Sequence, residues 1–209
     1  GSFPKSEYPQ YVIRSADFIV CCDGALTKFL KHSRKIFGTE KLPDLVIGDM
    51  DTLSPSMQKK YAEIIIRESE QEHNDQTKAV RWVLNNIKEI GSIHIMGATG
   101  GRADHTIGNL SLLMEYTRMF DLGDVLIETI TDEGTVFPIN DTTEIDCGEG
   151  REISIFSPDN TLRIRSEGLA YKTDDVIFDN WWKATLNRST QDRVRLEFSH
   201  PSIALIMMN

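Results

Sequence analysis

The sequence predicts an α/β protein in two parts. Residues 1–133 read as a domain with a mostly parallel sheet and helices on both faces, and residues 134–209 as an antiparallel β-sandwich domain. Three observations carry this. Continuous apolar runs alternate with amphipathic helical patterns as far as Thr131, the mark of βαβ units. Several of those runs end directly on Gly or Asp, as strand-to-helix turns do. Beyond Glu133 the runs shorten and alternate with charged neighbours, and Gly, Pro, Asn and Asp punctuate them.

The elements follow in order. Residues 17–22 form the first run, ending at Asp23-Gly24-Ala25, and a helix is expected through Phe29 and Leu30. Residues 45–47 form the second, ending at Gly48-Asp49-Met50-Asp51-Thr52. Ser54-Pro55 then reads as an N-cap followed by proline at the first helical position. Residues 64–66 form the third run, leading into His73-Asn74-Asp75-Gln76-Thr77. Val80, Val83, Leu84 and Ile87 mark an amphipathic helix, with Asn74 or Asp75 as its cap and Gly91 as its C-terminal glycine. Residues 92–96 read as a buried strand, and Ala103, Ile107, Leu110, Met114 and Thr117 recur at helical spacing after it. Residues 125–127 complete a sheet expected to run from the N-terminus to Thr131. In the second domain, strands are expected at 151–156, 161–165, 176–178, 194–198 and 203–207.

The chain has 209 residues, 40% of them hydrophobic and 26% charged, which suits a packed globular fold. A net charge of -9 argues against a nucleic-acid partner, because no basic excess exists to neutralise a phosphate backbone. It leaves room for a small phosphate ligand if a divalent metal supplies the positive charge. Three cysteines show neither zinc spacing nor a disulfide framework, and Cys21 and Cys22 fall on opposite faces of their strand. No apolar run is long enough to span a bilayer and no leader pattern is visible, so a cytoplasmic location is expected.

Chemistry concentrates at the run ends. Gly97-Ala98-Thr99-Gly100-Gly101-Arg102-Ala103-Asp104-His105 is a glycine-rich strand-to-helix turn, suited to an anion at a helix N-terminus. Arg102 can clamp phosphate oxygens, and Asp104 beside a phosphate needs a metal to offset repulsion. In an open α/β sheet, ligands bind beyond the carboxyl ends of the strands. Asp23, Asp49, Asp51, Asp75 and Asp104 all follow predicted strands, so a parallel sheet brings them to one rim, where a Mg²⁺ ion bridging phosphates suits hard oxygen ligands. Each has a plainer reading as well. Asp23 serves equally as a turn residue, Asp75 and Asp104 as helix caps, and Arg102 and Lys78 as solvated charges. His73 and His105 fit polar support better than metal ligation among oxygens. A nucleophile elbow, a P-loop and a Rossmann glycine fingerprint are all absent.

These motifs resemble the thiamine pyrophosphokinase family. The resemblance rests on Asp23-Gly24-Ala25, on Gly48-Asp49-Met50-Asp51-Thr52, on Gln71 to Asp75 with Thr77-Lys78, and on Gly100-Gly101-Arg102-Ala103-Asp104-His105 with Asn109. It implies an α/β catalytic domain followed by a β-sandwich, working as a homodimer with thiamine at the subunit interface. The implied reaction is transfer of a pyrophosphoryl group from ATP to the thiamine hydroxyl, releasing AMP. Carried onto this chain, Asp49, Asp51, Asp75 and Asp104 become the Mg²⁺ and phosphate cluster. Asp75 would orient or deprotonate the attacking hydroxyl, and Arg102 would neutralise the β- and γ-phosphates. Asp23, Gly24, Gln71, Asn74, Gly100, Gly101, His105 and Asn109 would line the same cleft, Thr77 would support the Asp75 turn, and Lys78 would add positive charge near the polyphosphate.

The second domain matches less closely. Asn187 falls where the family contacts the thiamine pyrimidine, but Leu186 replaces the family's serine before it. The family also opens with a strand before an Asn-Gly-x-x-Pro turn, whereas this chain opens Gly1-Ser2-Phe3-Pro4, and a sheet without that strand is expected to be less complete. Two other readings use the same residues: a metal-dependent phosphohydrolase with water as nucleophile, and a nucleotide- or thiamine-binding module without catalysis.

Overall fold

The computed structural model describes residues 1–209. It opens with helix α1, Glu7–Ser15, which buries only Pro9 and Ile13. Its start is held from far along the chain: the N–H groups of Lys5 and Ser6 both donate to Asp132 Oδ1 at 2.7 Å. Strand β1, Val20–Cys22, leads into helix α2, Ala25–Phe37, and then strand β2, Leu45–Gly48. Helix α3, Pro55–Lys60, carries the expected cap, Ser54 accepting from Met57 N. A 3-10 turn at Ala62–Ile64 precedes strand β3, Ile65–Arg67. The three strands form a parallel sheet in the order β1-β2-β3.

Both faces of this sheet are covered. Cys21 joins Leu26, Phe29 and Ile36 of α2 in one core. Cys22 points the other way, and its Sγ donates to the carbonyl of Asp75 at the start of helix α4, Asp75–Asn86. Val46 and Ile47 of β2, at the centre, are fully buried, as a two-faced parallel strand requires. Helix α4 ends at Asn86, five residues before Gly91, because Ile87 already leaves in an extended conformation. Gly91 lies in the connection instead, where its carbonyl accepts from Leu126 N.

Strand β4, Ser92–Met96, helix α5, Ala103–Met119, and strand β5, Leu126–Ile130, complete the βαβ pattern. β4 and β5 are parallel but belong to a second sheet. The single sheet expected up to Thr131 is therefore two. β4 is an edge strand and only half-buried, unlike the buried strand expected from its composition. The buried stripe of α5 runs through Leu113, Met114 and Tyr116, while Ile107 faces solvent.

The chain turns tightly from β5 into strand β6, Thr135–Ile139, with Thr131 Oγ1 accepting from Glu133 N and Gly134 N. One sheet thus continues across the position where composition changes. Strands β7, Thr143–Asp146, and β8, Glu152–Phe156, come next. Strands β9, Ile164–Glu167, β10, Asn187–Arg188, β11, Arg193–Phe198, and β12, Ala204–Met208, complete the fold. The six-stranded sheet has the order β10-β8-β12-β6-β5-β4, antiparallel but for the β5-β4 pair. The facing three-stranded sheet is β7-β11-β9.

Between them lies the largest core, with Ile153, Ile155, Leu162, Ile164, Leu196 and Ile206 almost wholly buried. Truncating any one of these to Ala should cost about 2–5 kcal/mol. Residues 176–178 form no strand; Val176 N closes a turn onto Thr173 O, and Phe178 enters the core from that loop. No helix is long and apolar enough to cross a membrane.

Candidate active site

The carboxyl ends of β1 and β2 converge on one carboxylate group. Asp23 follows β1 directly, at φ 41, a region a non-glycine residue enters only when its surroundings hold it there. Its N–H donates to Ile47 O at 2.9 Å, tying it to β2. Oδ2 accepts from Thr52 N at 3.1 Å and Thr52 Oγ1 at 2.6 Å. Oδ1 is buried with no hydrogen-bond partner. Asp49 and Asp51 flank Met50, whose own φ of 66 drives its side chain into the core and leaves the two carboxylates outside. Gln58 fixes this loop from below, its amide donating to Met50 O at 2.8 Å and Leu53 O at 2.7 Å. Carboxylate oxygens of Asp23, Asp49 and Asp51 lie within 4.8 Å of one another.

The three differ in charge environment. The Gln71 amide (3.2 Å) and the Asp51 N–H (3.1 Å) both donate to Asp49 and hold its carboxyl below the usual carboxylate range. The neighbouring Asp23 carboxyl, and then the charge of Asp49, push Asp51 up. Donors thus favour the charged form of Asp49, while neighbouring carboxylates disfavour that of Asp51.

Asp75 meets this group across Gly48. A Cβ on Gly48 would lie 3.0 Å from the Cβ of Asp23 and 3.0 Å from Asp75 Oδ2, so only glycine leaves room for both. Burial pushes the Asp75 carboxyl up, against the pull of Lys78. Lys78 is 2% exposed, and its Nζ donates to Asp75 Oδ1 at 3.3 Å and Glu68 O at 3.0 Å. It is an internal partner of Asp75. Beneath them, burial and then the charges of Asp75 and Asp23 push the Cys22 thiol up to about 12, which keeps it a neutral donor.

Asn74 caps α4, its Oδ1 accepting from Thr77 N at 2.9 Å, and its Nδ2 donates to Asn109 Oδ1 at 3.3 Å. Asn109 Nδ2 in turn donates to Ala98 O at 3.0 Å. Tyr116, wholly buried in α5, bonds Thr77 Oγ1 and Gln76 Nε2 from the other side. The start of α4 is therefore braced against α5.

The glycine-rich turn connects to the start of α4 through Asn109, which bonds both Asn74 and Ala98. Gly97 and Gly100 adopt φ of 71 and 74, and Ser2 packs on the turn, donating to Thr99 O at 2.7 Å and Gly100 O at 2.6 Å. Gly101 and His105 are exposed beside it. Arg102 and Asp104 are exposed and paired, Arg102 Nε donating to Asp104 Oδ1 at 3.1 Å. That bond, with the His105 N–H, holds the Asp104 carboxyl low. Asp104 lies outside the three-carboxylate group.

In the sandwich, Asn187 is buried and bonded to both the N–H and the carbonyl of Tyr171. Leu186 before it sits at φ 57 and is 80% exposed, close in sequence to exposed Trp181 and Trp182.

Sequence reasoning did not assign Thr52, Gln58 or Tyr116. Thr52 stood inside a quoted motif, and Tyr116 lies one helical turn from Leu113 and Leu112 on α5, so either could have been found; nothing in the sequence marks Gln58.

The oxygens of Asp23, Asp49 and Asp51 form a donor set with no nitrogen or sulfur, which suits a hard divalent cation. The bare Oδ1 of Asp23 strengthens the fit, since an unpaired buried charge is costly until a partner arrives. A second acidic group, Glu70, Glu72 and His73, differs in having a nitrogen ligand and cations beside it: His73 Nδ1 lies 3.1 Å from Glu70 Oε2, and Arg81 lies 3.7 Å from Glu70 Oε1, an oxygen that accepts no hydrogen bond.

Fold and site together define an α/β-plus-sandwich protein with a cluster of three carboxylates at its strand ends. Residues 9–122 match the family model for the thiamin pyrophosphokinase catalytic domain, and residues 134–203 the model for its substrate-binding domain. The chain belongs to the thiamin pyrophosphokinase family. It is 27% identical over 134 residues to thiamine pyrophosphokinase 1 of Oryza sativa, covering 56% of this chain and 48% of that protein. It is 31% identical over 105 residues to thiamin pyrophosphokinase 1 of Caenorhabditis elegans, covering 48% and 41%. The matched part thus spans about half the length of these curated relatives. Among solved structures, thiamin pyrophosphokinase from Candida albicans superposes with a TM-score of 0.78 at 19% identity, covering 100% of this chain and 86% of that one. Thiamine pyrophosphokinase from Bacillus subtilis gives 0.75 at 18%, covering 99% and 96%. These structural likenesses show the fold.

Proposed function

We propose that this chain is a thiamine diphosphokinase, transferring the pyrophosphoryl group of ATP to the hydroxyl of thiamine and releasing AMP. The observation that carries this is the meeting of Asp23, Asp49 and Asp51 at the strand ends of a chain matched by both domain models of the family. Residues 1–133 bind ATP and Mg²⁺, and residues 134–209 bind thiamine and form the dimer.

Asp49, Asp51 and Asp23 would hold Mg²⁺, and Asp75 and Asp104 would belong to the same metal and phosphate cluster. Bound there, Mg²⁺ neutralises charge on the polyphosphate. Gln71 orients Asp49. Arg102 exchanges its exposed partner Asp104 for the β- and γ-phosphates, where its planar fork fits two oxygens. The Gly100-Gly101 turn admits the phosphates close to the backbone, and Gly24, Asn74, Thr77, His105 and Asn109 line the cleft. Asp75, raised by burial and steadied by Lys78, accepts the thiamine hydroxyl proton on this reading. The hydroxyl oxygen attacks the β-phosphorus, the bond from that phosphorus to the bridging oxygen of AMP breaks, and the electron pair leaves with AMP. Asn187 supports the thiamine pocket through Tyr171. Exposed Trp181, Trp182, Tyr171 and Leu186 supply an apolar surface for a homodimer whose interface holds thiamine. Three free cysteines suit a cytoplasmic location.

Incubation with ATP, Mg²⁺ and thiamine should yield equal amounts of AMP and thiamine diphosphate. ADP as the product contradicts pyrophosphoryl transfer. Phosphate release without thiamine selects the hydrolase reading, and thiamine binding without turnover selects the binding module.

A further inference from the structure

We propose that Thr52 is the positioning residue that presets Asp23 as a cation ligand, by occupying one carboxylate oxygen and leaving the other free. This rests on the cation site proposed above.

The hydrogen bonds around Thr52 admit one arrangement. Its Oγ1 accepts from the Gly24 N–H at 2.9 Å. A hydroxyl has a single proton to give, and here that proton goes to Asp23 Oδ2, 2.6 Å away. Thr52 N adds a second bond to the same oxygen at 3.1 Å. Every donor reaching this carboxylate therefore lands on Oδ2, while Oδ1 stays bare in a residue only 3% exposed. A relay from Gly24 N–H through the hydroxyl to a carboxylate is also mutually polarising.

The surroundings are shaped for this contact. A Cβ on Gly24 would lie 2.5 Å from Thr52 Oγ1, so the approach needs glycine there. Asp23 is held at φ 41, which aims its side chain across to the β2 loop. Thr52 directly follows Asp51, so the loop that carries two carboxylates also fixes the third, from β1. Without the hydroxyl, the Asp23 carboxylate is free to turn and share its two oxygens between the remaining donor and the cation, and preorganisation is lost.

The test is Mn²⁺ binding to the full chain without nucleotide, followed by electron paramagnetic resonance. Thr52→Val keeps the shape and removes the hydroxyl, and it should weaken Mn²⁺ binding by about tenfold or more, as loss of a hydrogen bond to a charged group implies. Thr52→Ser keeps the hydroxyl and should stay within about twofold of wild type. A purely structural role would lower the melting temperature of Thr52→Val in EDTA and leave Mn²⁺ affinity untouched, which overturns the proposal. Should Thr52→Val not fold, Thr52→Ala with wild-type circular dichroism gives the same reading. A wild-type chain that takes up no Mn²⁺ overturns the cation site and this inference together, whereas wild-type binding that Thr52→Val leaves unchanged overturns the role of Thr52 alone.

Discussion

Asp75 answers to two opposed influences. Burial raises its carboxyl, and Lys78, with its amine 3.3 Å away, resists that rise. A carboxylate so balanced suits brief proton acceptance from a hydroxyl. Asp75→Asn keeps the size and the helix start and removes the base. Turnover should fall by about 10²–10⁴-fold with circular dichroism unchanged; unaltered turnover would take Asp75 out of the mechanism. At this scale the sequence was informative about identity and silent about orientation. Asp49 and Asp51, two apart beside a glycine, could be read directly as a loop pair. That Met50 separates them by entering the core could not, because its left-handed φ accompanies burial in a cluster drawn from α1, β1, α2 and β2. Lys78 looked like a free cation because its burial comes from tertiary packing alone.

Elements with local signals were readable, and those specified by distant partners were not. Ser54-Pro55 and Asn74 announced α3 and α4 through caps, which are local chemistry. Helix α1 has only two buried residues, and its start is fixed by Asp132 from the β5–β6 turn, a partner far along the chain. β6 was masked by Pro138, which lies beyond Val136, the last residue paired with β5. The loops of the sandwich show the same dependence. Asp159, between β8 and β9, accepts from Thr161 N and Oγ1, from Ser202 Oγ and from His200 Nε2 beyond β11. The Thr161 hydroxyl first, then His200 and Ser202, hold its carboxyl well below the usual carboxylate range. A carboxyl lowered by folding stabilises the native state above its unfolded pKa of about 3.9, and that contribution fades as pH falls through the folded value. Asp159→Asn should therefore melt below wild type at pH 7, and the gap should close progressively below about pH 4. A gap independent of pH would assign the loss to packing.

At the scale of the molecule, the division into α/β and antiparallel parts followed from period and run length. What the pattern could not show is that β4 and β5 leave the first parallel sheet and join the sandwich strands, since strand partners are chosen by non-local packing. The sandwich end presents Trp182 at 67% and Leu186 at 80% exposure, an apolar surface that a second subunit would cover. On that reading the protein sediments as a dimer, and Trp182→Ser combined with Leu186→Asp sediments as a monomer. Wild type sedimenting as a monomer at micromolar concentration would exclude this surface as a stable interface.

The most direct measurement is anomalous diffraction from crystals grown with Mn²⁺ and a nonhydrolysable ATP analogue. A Mn²⁺ peak within bonding distance of Asp49, Asp51 and Asp23, touching the polyphosphate, is the expected result. A polyphosphate bound with no metal peak among these carboxylates, or a peak on the Glu70 and Glu72 side, would contradict it.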